Sequence, residues 1–431
     1  MNRLRMLAVA GLSATLTVFA GAALSDTSKT VTSAAKVAPL TDLYDTIWVK
    51  SEDGSVKSLE QVADDLSQFD VVFFGEFHGH SGIHLKQMQI FAALQQRNPN
   101  MTLSLEQFER DTQPLVDLYL AGKIGEKVLQ EDGRAWPNYE QSYRPLVEFS
   151  KDNDLPVVAS NAPKQAVICV SKKGPEIIDE IPMPDRLWVA KELHIEEGAY
   201  LDKYRSFIEN SSTHGPNKDL DDTNKNENCV DIDAYGASHG AHSDTDPTDS
   251  MVAGMAEKKD HMAAGSADKK EQMTATGTDK KEPDAGASME ADKDMEKIMQ
   301  AMIMKSFSSQ VLRDDTMAES IAMHLQDNPG RKVLHLDGNF HSASHLGTVE
   351  RLKLRMPELK IAVINPIAVG DNNAPAWTDE DLSTGDYILL VREVPEMFIC
   401  KSRELEFQRK TIKKRMGNKC VYSEETAQQE K

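Results

Sequence analysis

Residues 71–80 read Val71-Val72-Phe73-Phe74-Gly75-Glu76-Phe77-His78-Gly79-His80. Four consecutive apolar residues are the pattern of a strand buried on both faces, and such strands belong to parallel sheets covered by helices. A glycine, a carboxylate and two imidazoles follow at once, so polar groups are delivered to the carboxyl end of the strand, where open α/β sheets bind ligands. The rest of the chain repeats the pattern. Apolar runs at 71–75, 102–105, 156–160, 332–336, 361–365 and 387–391 alternate with helical periodicities, which predicts an α/β fold with a mostly parallel sheet flanked by helices. Ile83, Ile90, Phe91 and Leu94 recur at helical spacing with Gln87 as the polar exception on that stripe, and 302–325 reads as a second long helix.

The chain has 431 residues, 40% of them apolar, enough for a substantial core. Its first residues, Met1-Asn2-Arg3-Leu4-Arg5, precede an apolar run over 6–23 that ends in Ala20-Gly21-Ala22 and turns polar at Ser25-Asp26. That order predicts a secretory signal peptide over residues 1–25, with a retained N-terminal anchor as the alternative. The expectation is a periplasmic or secreted protein, soluble after removal of that segment and without a transmembrane span. In an oxidising compartment the four cysteines, Cys169, Cys229, Cys400 and Cys420, pair. Proximity in sequence favours Cys400 with Cys420, which leaves Cys169 with Cys229.

Of the net charge of -20, residues 213–296 supply -11, from 20 acidic against 9 basic side chains. This segment is rich in Gly, Ser, Thr, Asp and Lys, repeats Glu257-Lys258-Lys259, Asp268-Lys269-Lys270 and Asp279-Lys280-Lys281, and has almost no large apolar residues beyond Met. It reads as a long disordered insert that interrupts one discontinuous domain, 38–212 and 297–395, followed by a C-terminal extension over 396–431. The Met and His residues of the insert, among them His239, His242, Met251, Met255, His261 and Met262, are candidates for holding Cu(I), or are simply solvated. An acidic chain of this kind argues against nucleic acid as a partner.

Three strands end in chemistry-bearing residues: Glu76, His78 and His80 after the first, Glu106 after the second, and Asp337-Gly338-Asn339-Phe340-His341 after the fourth. Gly75-Glu76-Phe77-His78 and Gly338-Asn339-Phe340-His341 share a glycine followed three residues on by an imidazole. If those strands are neighbours, His78 and His341 converge with Glu76 and Glu106. That set suits Zn, Mn or Fe, or general acid/base work, unless these side chains only cap helices and hydrogen-bond within the fold.

The stretch GEFHGHSGIHLKQMQIFAAL, with Glu76, His78 and His84, resembles the opening motif of the ChaN family of haem-binding uptake proteins in the Tiki superfamily. LSLEQFERDTQPLVDLYLAGKI matches with Glu106, Arg110 and Gln113, and Trp136, Tyr139 and Pro145 follow in order. PVVASNAP with Asn161 and Pro163, SSQVLRDDTMAESI and LDGNFH complete a resemblance over 40–210 and 297–370. Gly79, His80 and Ile83 stand where the family often has Asp, Asn and His, the stretch after His341 lacks the usual Gly-x-Pro, and the lipid-bearing cysteine common in the family is missing. The resemblance implies binding of haem or an iron species outside the cytoplasm, with His78, His84, Tyr139 and His341 as candidate cofactor ligands. Relatives in the superfamily include metalloproteases and erythromycin esterases. The alternative is therefore a hydrolase in which Glu76, His78, Glu106 and His341 hold a divalent metal and Glu76 or Glu106 activates water. A homodimer stays open.

Overall fold

The computed structural model describes residues 37–212 and 285–422. The signal-peptide expectation, the insert up to residue 284 with its Met and His residues, Cys229 and the last residues of the chain lie outside them. Eight strands form one sheet: β1 (Thr46–Lys50), β2 (Ser55–Lys57), β3 (Val71–Glu76), β4 (Met101–Glu109), β5 (Val157–Asn161), β6 (Lys332–Gly338), β7 (Ile361–Val369) and β8 (Tyr387–Arg392), in the order β2-β1-β8-β7-β3-β6-β4-β5. From β8 to β5 all neighbours are parallel, and β1 and β2 add an antiparallel edge. The six strands read from the sequence are the parallel body. The edge pair went unread because one member has three residues and no buried side chain.

Alternation along the central strands divides the core in two. Val72, Phe74, Leu334, Leu336, Leu103 and Leu105 face the helices α1 (Leu59–Leu66) and α2 (Ser81–Arg97) and the helix Arg144–Asp152. Val71, Phe73, Val333 and Val363 face the opposite layer, where Ala318, Ile321, Ala322 and Leu325 of the long helix Ala285–Asp327 pack with Val349 and Leu352 of the helix Thr348–Arg355. The long helix starts inside the segment expected to be insert, in a Met-, Ala-, Glu- and Lys-rich stretch of good helix formers.

The cysteine pairing differs from expectation: Cys169 bonds Cys420, and Cys400 is disulfide-bonded elsewhere. Cys400 and Cys420 flank the helix Lys401–Gly417, whose 17 residues hold them apart by about 25 Å at 1.5 Å per residue, far beyond disulfide reach. The C-terminal extension is thereby tied to the helix Lys164–Lys173, which carries Cys169.

Gly75 lies within β3, and it is glycine because the turn after β6 crosses it. A Cβ there would sit 2.9 Å from Asn339 Cα and Cβ and 3.4 Å from Ser342 Oγ. Gly75→Ala is expected to lower the unfolding free energy by about 1–3 kcal/mol, read as a reduced denaturant midpoint with unchanged slope. An unchanged midpoint would mean that the turn is free to shift.

Candidate functional site

In the parallel register of β3 and β6, Gly75 lies beside Asp337 and Glu76 beside Gly338. The two Gly-x-x-His segments are therefore offset by one residue, and a one-residue offset puts equivalent positions on opposite faces of a sheet. His78 belongs to the α2 side and His341 to the long-helix side. His78 and Glu106 meet at Gly338, whose missing Cβ would lie 3.0 Å from His78 Cε1 and Nε2 and 3.7 Å from Glu106 Oε2.

On the α2 side, buried Glu76 is the hub. Its Oε1 accepts from His78 Nδ1 at 2.8 Å, Gln107 Nε2 at 3.1 Å and the Tyr143 hydroxyl at 2.5 Å, and its Oε2 accepts from Gln87 Nε2 at 2.8 Å. His84 Nδ1 stands 3.6 Å from Oε2. Because the Gln87 amide nitrogen is committed to Glu76, its oxygen is what His84 Nδ1 meets at 2.9 Å, while His84 Nε2 meets the His78 carbonyl at 2.9 Å. Both His84 ring nitrogens thus face oxygen atoms, with the Glu76 carboxylate alongside. Burial alone would raise the Glu76 carboxyl, but the His84 charge and the His78 and Tyr143 hydrogen bonds prevail and hold it at about 2.

The carboxylate can only accept, so His78 Nδ1 is the donor, and in the neutral ring the lone pair falls on Nε2. That Nε2 is buried with no hydrogen-bond partner. Trp136, partly exposed, stands edge-on to the His78 ring with centroids 4.7 Å apart, and Asn138 Nδ2 donates to the His78 carbonyl at 2.7 Å.

Across the sheet, His341 Nδ1 donates to Asp314 Oδ1 at 2.6 Å, and His341 Nε2 lies 3.6 Å from Glu106 Oε1 and 3.1 Å from the Gln310 amide nitrogen. Asp314 also accepts from Tyr200 at 2.7 Å and Thr348 at 2.9 Å. Burial disfavours a charge on His341, yet Asp314 and Glu106 outweigh it and push the imidazole up to about 9. Glu106 lies within β4, beyond its last pair with β6, and its Oε2 accepts from the Gly338 N–H at 2.7 Å. Below this group, burial pushes the Asp337 carboxyl well above the usual range, and burial with the nearby His341 charge pushes His335 down to about 3. Their facing atoms, Asp337 Oδ2 and His335 Nε2, are 3.7 Å apart.

The structure thus brings Glu76, His78, His84, Glu106 and His341 to one sheet edge as two networks. Tyr139 is buried against Phe108, and besides burial the groups acting on its hydroxyl are Tyr119, Glu126, Glu148 and Arg144, outside this cluster. Tyr143 is the tyrosine that reaches Glu76. His80 caps α2, accepting from the Ile83 N–H at 3.3 Å through Nδ1 and donating to the Arg392 carbonyl at 2.7 Å through Nε2. Sequence reasoning missed Tyr143, Gln107, Asp314 and the role of Gln87. Gln87 had a signal, being the polar residue on an apolar stripe, and Asp314 lies within SSQVLRDDTMAESI. Among the described residues no group of three or more His, Cys, Asp or Glu side chains is arranged to hold a metal ion.

The two networks give stability opposite pH limits. Glu76, held at about 2 against an ordinary 4.5, contributes fully above pH 4.5 and loses its contribution as pH falls toward 2. His341, held at about 9 against 6.5, contributes fully below pH 6.5 and loses its contribution as pH rises through 9. Denaturant midpoints should be highest between pH 4.5 and 6.5. His341→Gln should flatten the alkaline decline, and a decline identical to that of the wild type would contradict this origin.

A model of the family described as "Haem-binding uptake, Tiki superfamily, ChaN" matches residues 62–352. No curated protein sequence matches the chain. Among solved structures, ChaN of Campylobacter jejuni, titled for cofacial haem binding, is similar at 14% identity and a TM-score of 0.46, covering 82% of this chain and 100% of that one. A mutant of the erythromycin esterase EreC in its open conformation is similar at 12% identity and a TM-score of 0.37, covering 82% and 99%. A succinoglycan biosynthesis protein follows at 11% identity and 0.33, covering 83% and 94%. At these scores the family assignment rests on the sequence match, which takes in about two thirds of the chain and both halves of the site. The chain belongs to the haem-binding uptake family of the Tiki superfamily, ChaN.

Proposed function

We propose that this protein binds haem through His78 Nε2 and serves haem or iron uptake outside the cytoplasm. The observation that carries the reading is the His78 nitrogen itself: buried, without a partner, and held in the lone-pair tautomer by Glu76 on the other side of the ring. A metal-ligating histidine is oriented in this way, and the carboxylate raises its basicity. Haem would supply the iron that this nitrogen coordinates. His84 and His341 contribute differently, since their ring nitrogens are engaged within the fold, His84 with Gln87 and the His78 carbonyl and His341 with Asp314 and Gln310. Trp136 and Phe77, both partly exposed beside His78, offer apolar surface to a porphyrin. Because Nε2 is closed to solvent, Trp136 has to give way, and association should be slow.

The placement outside the cytoplasm is supported by the apolar run at 6–23 and by Cys169, Cys400 and Cys420, all disulfide-bonded, as an oxidising compartment allows. Titrating haemin into the purified protein tests the reading. A saturable absorbance change to a histidine-ligated spectrum is expected, and a spectrum of free haemin throughout would overturn it.

A further inference from the structure

The helix Lys401–Gly417 is a basic element in an acidic protein. It carries seven Lys and Arg against two Glu, a net +5, where the whole chain stands at -20. Leu405, Gln408 and Ile412, at intervals of three and four residues, form its inward face, and among the described residues of this helix Gln408 alone is buried. The outward face is cationic. Arg409 and Lys413 lie four residues apart on it, Arg403, Lys410 and Lys414 run alongside at intervals of seven and four, and all five are exposed. Glu406 is the acidic residue on that face and pairs with Lys410 at 2.8 Å. Lys172, exposed on the helix Lys164–Lys173, extends the basic surface and donates to the Met416 carbonyl at 3.1 Å.

Folding does not account for this face. Like charges four apart, as in Arg409 with Lys413 and Lys410 with Lys414, destabilise a helix, and the macrodipole explains only the cations of the last turn, Lys414 and Arg415. The helix is held less by burial than by covalent ties at both ends: its N-cap, Cys400, is disulfide-bonded, and Cys420, just past its end, bonds Cys169. We infer that the outward face of the helix Lys401–Gly417 docks the protein on an anionic lipid surface. A helix face is convex, and its cations spread about 16 Å along the axis from Arg403 to Lys414, so it fits a flat array of anionic headgroups rather than a small anion, which needs convergent donors. Met416, 74% exposed, follows Lys413 by three residues and sets an apolar side chain beside the cations, the mixture that an interfacial helix presents to a bilayer. A long nucleic acid would run past the helix over the acidic remainder of the protein, whereas a bilayer can meet this helix alone.

The test is co-sedimentation of the full chain at low salt with vesicles of phosphatidylcholine alone and with vesicles that also contain phosphatidylglycerol. The wild type should sediment with the phosphatidylglycerol vesicles only, and rising salt should release it, because exposed charges are screened. R403Q/R409Q/K413Q should weaken that binding by about 100-fold, the effect of removing three cations from an anionic leaflet. R403K/R409K/K413R should retain it, since the surface reads charge and not a particular side chain. Absence of binding to phosphatidylglycerol vesicles, equal binding to both kinds of vesicle, or equal binding by the wild type and the glutamine variant would overturn the inference, as would loss of binding in the charge-preserving variant.

Discussion

Glu76→Gln lowers the unfolding free energy by about 3–5 kcal/mol, the cost of breaking one partner from a buried ion pair. The carboxylate accepts from His78, Gln107, Tyr143 and Gln87 and faces the His84 ring. An amide keeps the shape but removes the charge at the centre of the network, and its NH2 group must meet a donor wherever it points. Nothing near Glu76 in the chain announces Tyr143, which reaches the carboxylate only through the packing of the fold. Chemical denaturation of the variant at a pH between 4.5 and 6.5 measures the effect where both networks are charged. A midpoint equal to that of the wild type would mean that Glu76 is not the hub of this network.

What was legible in the sequence was whatever depends on local periodicity. Val71–Glu76 announces a buried parallel strand through four apolar residues, and the polar residues after it announce a strand end. Glu76, His78, Glu106 and His341 could be picked out because each stands at such a break in pattern. Their partners could not, since Tyr143 comes from the turn between the helices Tyr139–Ser142 and Arg144–Asp152 on one side of the sheet and Asp314 from the long helix on the other, and only the packing of layers joins them. The repeated Gly-x-x-His was visible, but not its one-residue offset between β3 and β6, which places the two imidazoles on opposite faces. The two glycines also act otherwise than as flexible turns. Gly75 makes room for the Asn339–Ser342 turn and Gly338 for the His78 ring. The cysteine pairing failed for a related reason: nearness in sequence says little when a rigid helix separates the two thiols.

His78→Ala should cost haem affinity more than the about 10–100-fold that loss of an orienting partner typically costs a metal site, because it removes the ligand itself. Folding should suffer less than in Glu76→Gln, since the lost Nε2 has no partner and Glu76 retains Gln87, Gln107, Tyr143 and His84. Tyr139→Phe provides the contrast, because its buried hydroxyl feels Tyr119, Glu126, Glu148 and Arg144 rather than the groups of the cluster. The most direct measurement is the absorbance spectrum of haemin titrated into the wild type, His78→Ala and Tyr139→Phe under one set of conditions. The account predicts a saturable histidine-ligated spectrum in the wild type and Tyr139→Phe, and a spectrum close to free haemin in His78→Ala. A His78→Ala protein that keeps the wild-type spectrum and affinity would contradict the assignment of His78 as the iron ligand.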